Sequence, residues 1–209
     1  MSALPAANRK GGASPLWPHQ QAAVDKLAPL GSGGLFHDMG AGKTRTALEL
    51  LRVWGTKRVL ILAPKSVVRV WPAEFAKHLS EPWRVVALDS GPVAKRAKTA
   101  WVENLCAEAD GRHLAVVVNY DSLVHRPMPE TLETLQWDAL VLDESHRCKA
   151  PRGKTARTVA ALARRIPHRL ALTGTPMPHS PLDVWSQMQV VCPGLLPDRY
   201  AVFEGRYAI

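Results

Sequence analysis

The chain has 209 residues, 46% hydrophobic and 22% charged, which suits one globular α/β unit large enough to bury a core. No apolar run approaches the ~18 residues of a membrane span, and nothing apolar follows Arg9 and Lys10, so neither a membrane protein nor a secretory leader is expected. A net charge of +9 points to a polyanionic partner, while Cys106, Cys148 and Cys192 are too scattered for a disulfide framework or a metal cluster and read as thiols of a reducing cytoplasm.

Residues 1–15, with Gly11, Gly12 and Pro15, are expected to form a disordered tail. A helix is expected over 19–27, then a glycine-rich turn over 29–34. Gly34-Leu35-Phe36 reads as a buried strand leading into a second helix near Lys43. That helix would keep Arg45, Glu49 and Arg52 on its wet face and end at Gly55. Its apolar stripe of Ala47, Leu48, Leu51 and Trp54 assigns Trp54 to the core, and Trp101, spaced with Ala94, Ala97 and Leu105, reads the same way.

Further candidate strands cover 59–62, 85–88, 114–118, 140–142 and 170–172, alternating with helical stretches that include 66–78 and 155–165. Ser66 is the candidate N-cap of the first of these helices. Alternation of this kind predicts a mostly parallel sheet with helices on both faces, a three-layer α/β/α unit. Ligands then belong beyond the carboxyl ends of the strands. Residues 193–209 read as a loose segment.

Two of the strand ends carry chemistry. Asp38-Met39-Gly40-Ala41-Gly42-Lys43-Thr44 follows the first strand, and Asp143-Glu144-Ser145-His146 follows Ala139-Leu140-Val141-Leu142. Gly40 and Gly42 let the backbone curl so that successive N–H groups, Ala41 among them, point at phosphate oxygens. The helix start adds its positive end. Lys43 would reach the β- and γ-phosphates, and Thr44 with Asp143 would hold Mg²⁺. Glu144 is the candidate general base for an attacking water. His37 stands where the full phosphate-loop pattern has its first glycine. Gly-x-Gly-Lys-Thr alone also occurs as a plain turn, and an Asp-Glu pair alone is usually just solvated. Together, on two strands expected to end side by side, they describe an ATP site.

Beyond that pair, the chain resembles the first RecA-like lobe of superfamily 2 helicases, most closely the Swi/Snf-type DNA translocases. The resemblance starts at Leu16-Trp17-Pro18-His19-Gln20, where it makes Gln20 the reader of the adenine edge; Trp17 beside it is a candidate nucleotide contact. It continues through Leu60-Ile61-Leu62-Ala63-Pro64-Lys65-Ser66, then Trp71 and Glu74, a motif that touches the nucleic-acid backbone. Asn119-Tyr120-Asp121-Ser122-Leu123 is similar to the next strand-end segment. The candidate DNA contacts are therefore Pro64, Lys65, Ser66, Asn119 and Tyr120. Asp143 through Lys149 is similar to the family's acidic box, with Ser145 where the family more often has Ala or Gly, and implies a γ-phosphate sensor at His146. Leu172-Thr173-Gly174-Thr175-Pro176, then Trp185, is similar to the motif that couples hydrolysis to movement, assigned to Thr173, Gly174 and Thr175.

The resemblance implies a RecA-like P-loop lobe over 16–192 that takes ATP and Mg²⁺, hydrolyses ATP by in-line water attack and moves on double-stranded DNA without reading its sequence. It also implies a second RecA-like lobe, because nothing similar to that lobe's arginine-bearing motifs occurs before Ile209. The chain is then expected to be a fragment or one half of a split enzyme; a non-hydrolysing nucleotide- or DNA-binding module is the alternative. Basic residues at Lys95, Arg96 and Lys98, at Arg147 and Lys149, and at Arg152, Lys154, Arg157, Arg164 and Arg165 fit either a DNA surface or solvated helix faces. The expected location is the cytoplasm, nucleoid or nucleus, wherever the DNA lies.

Overall fold

The structure, a computed structural model, describes residues 15–88, 95–108 and 112–208, without the side chains of 95–98. Residues 1–14 of the expected tail, the side chains of Lys95, Arg96, Ala97 and Lys98, and Ala94 lie outside the described residues.

Six strands pair in parallel: β1 (Ser32–Leu35), β2 (Arg58–Ala63), β3 (Trp83–Leu88), β4 (His113–Asn119), β5 (Ala139–Asp143) and β6 (His168–Leu172). Their order is β1-β6-β5-β2-β4-β3. The inner strands are apolar on both faces because helices cover both. Alternate residues of β2 separate cleanly. Leu60 and Leu62 join a core with α4 (Lys95–Glu108), α5 (Met128–Thr134), α6 (Lys154–Ala163) and α7 (Trp185–Val191). Val59, Ile61 and Ala63 join a core with α1 (Pro18–Leu27), α2 (Lys43–Val53) and α3 (Trp71–His78). Each fully buried Leu or Val in these layers contributes about 1.5–3 kcal/mol relative to exposure. This is the RecA-like α/β/α arrangement.

Several local expectations change. The strand β1 begins at Ser32, inside the stretch read as a turn, which ends at Gly31. Gly33 eases the packing of α1 on the strand: a Cβ on it would lie within 2.5 Å of Leu27 Cδ2, so that side chain would have to shift. Helix α3 begins at Trp71 rather than Ser66. Pro72 lacks the N–H that a longer helix would need there and is tolerated only in a first turn, so residues 65–70 form turns instead. Ser66 is consequently no N-cap; Val70 holds that position.

On α2, Arg45 and Glu49 are buried, not wet. Arg45 donates to the carbonyl of His78, the last residue of α3, 3.0 Å away, satisfying a helix end that packing has covered. Glu49 accepts from Arg52 at 2.8 Å. Trp54 does reach the core margin, stacked on His168 with its indole N–H on the Ala28 carbonyl. Trp101 does not: the buried face of α4 is Val102, Leu105 and Cys106, and Trp101 is 46% exposed. The stretch from residue 193, read as loose, contains α8 (Tyr200–Tyr207), with Phe203 buried and Tyr200 edge-on to Trp185. Trp185 also donates to the Pro197 carbonyl at 2.8 Å.

Candidate functional site

The phosphate loop fills residues 36–42 between β1 and α2. Gly40 and Gly42 have φ of 78° and 76°, the left-handed region that glycine enters freely. Gly42 is the N-cap of α2 and supplies no capping side chain; a helix start of this kind offers N–H donors to an anion. A Cβ on Gly42 would overlap the Gln20 amide nitrogen, so the cradle accepts glycine alone. Lys43 Nζ donates to the His37 and Asp38 carbonyls at 2.9 and 3.0 Å, which holds the ammonium over the loop. Gln20 is buried; its Oε1 accepts from the Trp17 N–H at 2.9 Å and its amide donates to the Ala41 carbonyl at 3.1 Å.

At the end of β5, Asp143 Oδ2 accepts from the Trp71 indole N–H at 3.1 Å. Burial pushes the Asp143 carboxyl up to about 6, against the Trp71 hydrogen bond that pulls it down and with the neighbouring Glu144 adding to the rise. Glu144 has φ 51°, a conformation that costs a non-glycine residue of order 1–3 kcal/mol and clusters at functional sites. The kink turns its side chain towards β6, where Glu144 Oε2 lies 3.2 Å from Thr173 Oγ1 and 3.3 Å from His146 Nδ1. Thr173 Oγ1 also meets the Thr175 N–H and His146 Nδ1, each at 3.0 Å. A hydroxyl has one proton. Spent on Glu144, it leaves His146 Nδ1 as the donor to the Thr173 oxygen.

The phosphate loop and the acidic box are not on neighbouring strands as expected. Strand β6 lies between β1 and β5, and Leu172 is in register with both Leu35 and Asp143. The Thr173 N–H donates back to the Leu35 carbonyl at 3.3 Å. A Cβ on Gly174 would sit 3.5 Å from the His37 carbonyl and 3.6 Å from the Met39 nitrogen. The segment 173–175 is thus packed between the phosphate loop and the carboxylates, touching both.

A cleft of about 500 Å³ is lined by Trp17, Gln20, Lys43, Thr44, Asp143 and Glu144, with Val67, Val70 and Trp71 also on its wall. Among the described residues no three His, Cys, Asp or Glu side chains form a metal cluster. Thr44 and Asp143 still suit Mg²⁺, which typically takes one or two protein ligands and completes its shell with phosphates and water. Among the described residues no helix is long and apolar enough to cross a membrane.

The DNA candidates divide. Lys65 and Ser66 are exposed and, with Arg69, Asp121 and Arg147, line a second depression of about 630 Å³. Pro64, Asn119 and Tyr120 are buried. The Asn119 side chain caps the following turn by accepting from the Ser122 N–H, and Tyr120 donates to the Asp143 carbonyl at 2.8 Å. The Tyr120 side chain therefore holds the acidic strand end, and the Asn119 side chain holds its own turn. Of the basic clusters, Arg152, Lys154, Arg157, Arg164 and Arg165 are exposed, whereas Lys149 donates to Asp183 at 3.3 Å.

Gln187 was not singled out in the sequence. Fully buried, it accepts from Ser145 Oγ at 2.7 Å and donates to the Pro176 and Asp183 carbonyls at 2.7 and 2.9 Å. It joins the acidic box to the end of the coupling segment. A polar residue two places after Trp185 carried no local signal of that role.

A family profile described as SNF2-related domain matches residues 19–209. The chain is 31% identical over 198 residues to the TATA-binding protein-associated factor mot1 of Schizosaccharomyces pombe, covering 85% of this chain and 10% of that protein. It is 33% identical over 206 residues to putative protein p41 of Acyrthosiphon pisum secondary endosymbiont phage 1, covering 91% of this chain and 42% of that protein. Among solved structures, the Sulfolobus solfataricus SWI2/SNF2 ATPase core in complex with dsDNA matches with a TM-score of 0.71 at 25% identity, over 93% of this chain and 39% of that one. The chain therefore spans between a tenth and about two-fifths of the length of these relatives.

Proposed function

The chain belongs to the SNF2-related family, and we propose that it is the ATP-binding motor lobe of a Swi/Snf-like, DNA-dependent ATPase. In this reading it turns ATP and water into ADP and phosphate and couples that reaction to movement on duplex DNA. A second RecA-like lobe completes the site. The observation that carries the proposal is the register of Leu35, Leu172 and Asp143, which gathers the phosphate loop, Thr173 and the acidic box at one edge of the sheet.

The residues have separable tasks. Gln20 has spent one donor and one lone pair on Trp17 and Ala41. One of each remains, the pair that an adenine N6/N7 edge requires. The exposed Trp17 ring lies on the same wall. Gly40, Ala41 and Gly42 receive phosphate oxygens on the loop backbone, and Lys43 exchanges its two carbonyl partners for the β- and γ-phosphates. Thr44 and Asp143 would hold Mg²⁺, which when bound neutralises phosphate charge. Glu144 orients and deprotonates the attacking water. Thr173 and His146, bonded to Glu144 and to each other, transmit the state of the γ-phosphate towards the second lobe. Arginines from that lobe are worth about 10³–10⁵ in turnover.

DNA is proposed to bind through its phosphates on Lys65, Ser66 and Arg147, at the ~10⁻⁴–10⁻⁶ M usual for sequence-independent contacts. The test is ATP turnover by the purified chain with and without duplex DNA at low salt. DNA-stimulated turnover that Lys43→Ala abolishes supports a working motor lobe. Nucleotide binding without turnover makes the chain half of an active site. Nucleotide binding that survives Lys43→Ala overturns the proposal.

A further inference from the structure

The turn 64–70 and the start of α3 were read together as a motif that touches nucleic acid. The structure divides them between two sites. Lys65, Ser66 and Arg69 line the basic depression, whereas Val67, Val70 and Trp71 line the nucleotide cleft. Trp71 is 2% exposed and all but closed to solvent. Its ring packs near Phe75, with centroids 6.2 Å apart. Its one polar atom is aimed at Asp143 Oδ2, 3.1 Å away.

We infer that Trp71 is a positioning residue for Asp143, fixing the carboxylate that faces the metal and tying it to the segment that meets DNA. The inference rests on the assignment of Asp143 to Mg²⁺. A buried indole N–H needs an acceptor, and a carboxylate free to rotate at a strand end needs an anchor. The Trp71 hydrogen bond meets both needs; with the Glu144 backbone N–H also on the carboxylate, two of its four lone pairs remain for metal or water. Partners of this kind, standing behind a ligand, typically change metal affinity 10–100-fold when removed. Trp71 is also the first residue of α3, directly after the turn that carries Lys65, Ser66 and Arg69. A displacement of that turn by bound phosphate moves the donor that orients Asp143.

Trp71→Phe keeps a ring in the core and removes the N–H. Binding of a fluorescent ATP analogue would be titrated against Mg²⁺ and repeated in EDTA, with DNA affinity measured without nucleotide. The expected result is a Mg²⁺ requirement raised at least tenfold, with affinity in EDTA and DNA affinity unchanged. In the Asp143→Asn background the same substitution has no further effect on the Mg²⁺ requirement, and the Trp71 indole N–H resonance moves when Asp143 becomes Asn.

An unchanged Mg²⁺ requirement in Trp71→Phe, or a loss of DNA affinity in its place, overturns the inference. If the wild type binds nucleotide without regard to Mg²⁺ and Asp143→Asn behaves as wild type, the assignment of Asp143 itself has failed. Should Trp71→Phe not fold, benzothienylalanine at position 71 replaces the N–H by sulfur in the same shape, and the same outcomes decide.

Discussion

In the nucleotide cleft Gln20, Lys43, Asp143 and Glu144 each have a hydrogen-bond partner within 3.2 Å, and the strands behind them are held in register by β6. In the basic depression Lys65 and Ser66 lie exposed on a turn and Arg147 on the short 3-10 helix Ser145–Cys148. One side is preorganised: its polar groups are paid for before a ligand arrives. The other relies on charge in water, where single contacts are worth little and salt screens them. Substitutions in the cleft should therefore act through geometry and be large, and those in the depression should act through ionic strength and be small.

The largest effect is expected at Glu144. Glu144→Gln keeps the shape and the acceptor that Thr173 uses but removes the proposed base. Turnover should fall by about 10²–10⁴ while ATP still binds. Wild-type turnover in this variant would place the base elsewhere and weaken the contrast between the two regions. Single-turnover hydrolysis with a separate binding measurement distinguishes the two outcomes.

Next is the cost of keeping Asp143 charged. Its carboxyl is raised from 3.8 to about 6, chiefly by burial, a shift worth about 3 kcal/mol. A folded-state pKa above the unfolded value means that the folded chain keeps a proton the unfolded chain has already lost. The stability this contributes is complete below pH 3.8 and is lost as pH rises towards about 6. Above that range the ion is buried at a cost. Asp143→Asn should melt higher than wild type at pH 7.5, and the difference should close near pH 3.5. A gap that stays constant across the titration would mean that burial does not strain this carboxylate.

What was legible in the sequence follows the range of the interactions. Gly40, Gly42, Lys43 and Thr44 announce their chemistry because a phosphate loop is contiguous, and the apolar runs of β2, β4 and β5 announce strands because both faces are covered. The neighbour relations of those strands are set by layers that no local pattern encodes, so the insertion of β6 between β1 and β5, with Thr173 between loop and acid, was not visible. The fate of Arg45 was hidden in the same way. It lies on a face that looks wet until α3 crosses it and presents the His78 carbonyl. Trp71 was visible as a motif residue, but only the packing shows which of the two depressions it lines.

A smaller effect is expected at the Ser145–Gln187 bond. Both side chains are fully buried, so Ser145→Ala leaves Gln187 Oε1 without its hydroxyl donor. An unpaired buried acceptor costs about 1–3 kcal/mol. Removing both partners as Ser145→Ala with Gln187→Leu should cost less than the two single losses summed, because the shared bond is lost in each single; the bonds of Gln187 to the Pro176 and Asp183 carbonyls are lost in Gln187→Leu and the double alike. Denaturation midpoints of the two single variants and the double give the coupling directly. Additive losses would show that the pair is not a connection between the acidic box and the coupling segment.

The smallest effect belongs to the depression, and its signature differs in kind. Lys65→Ala and Arg147→Ala each remove one exposed candidate phosphate contact. Neither should change nucleotide binding. Each should lower duplex affinity a few-fold and reduce the slope of log affinity against log salt by roughly one, equally for any DNA sequence. The slope is the informative quantity, because it counts released counterions independently of fold stability. An unchanged slope with lower affinity would mean that the side chain shapes the turn and does not meet a phosphate. A changed nucleotide affinity would show that the shared turn 64–70 transmits charge at one site to geometry at the other, and the separation between the two regions would then hold only for their walls.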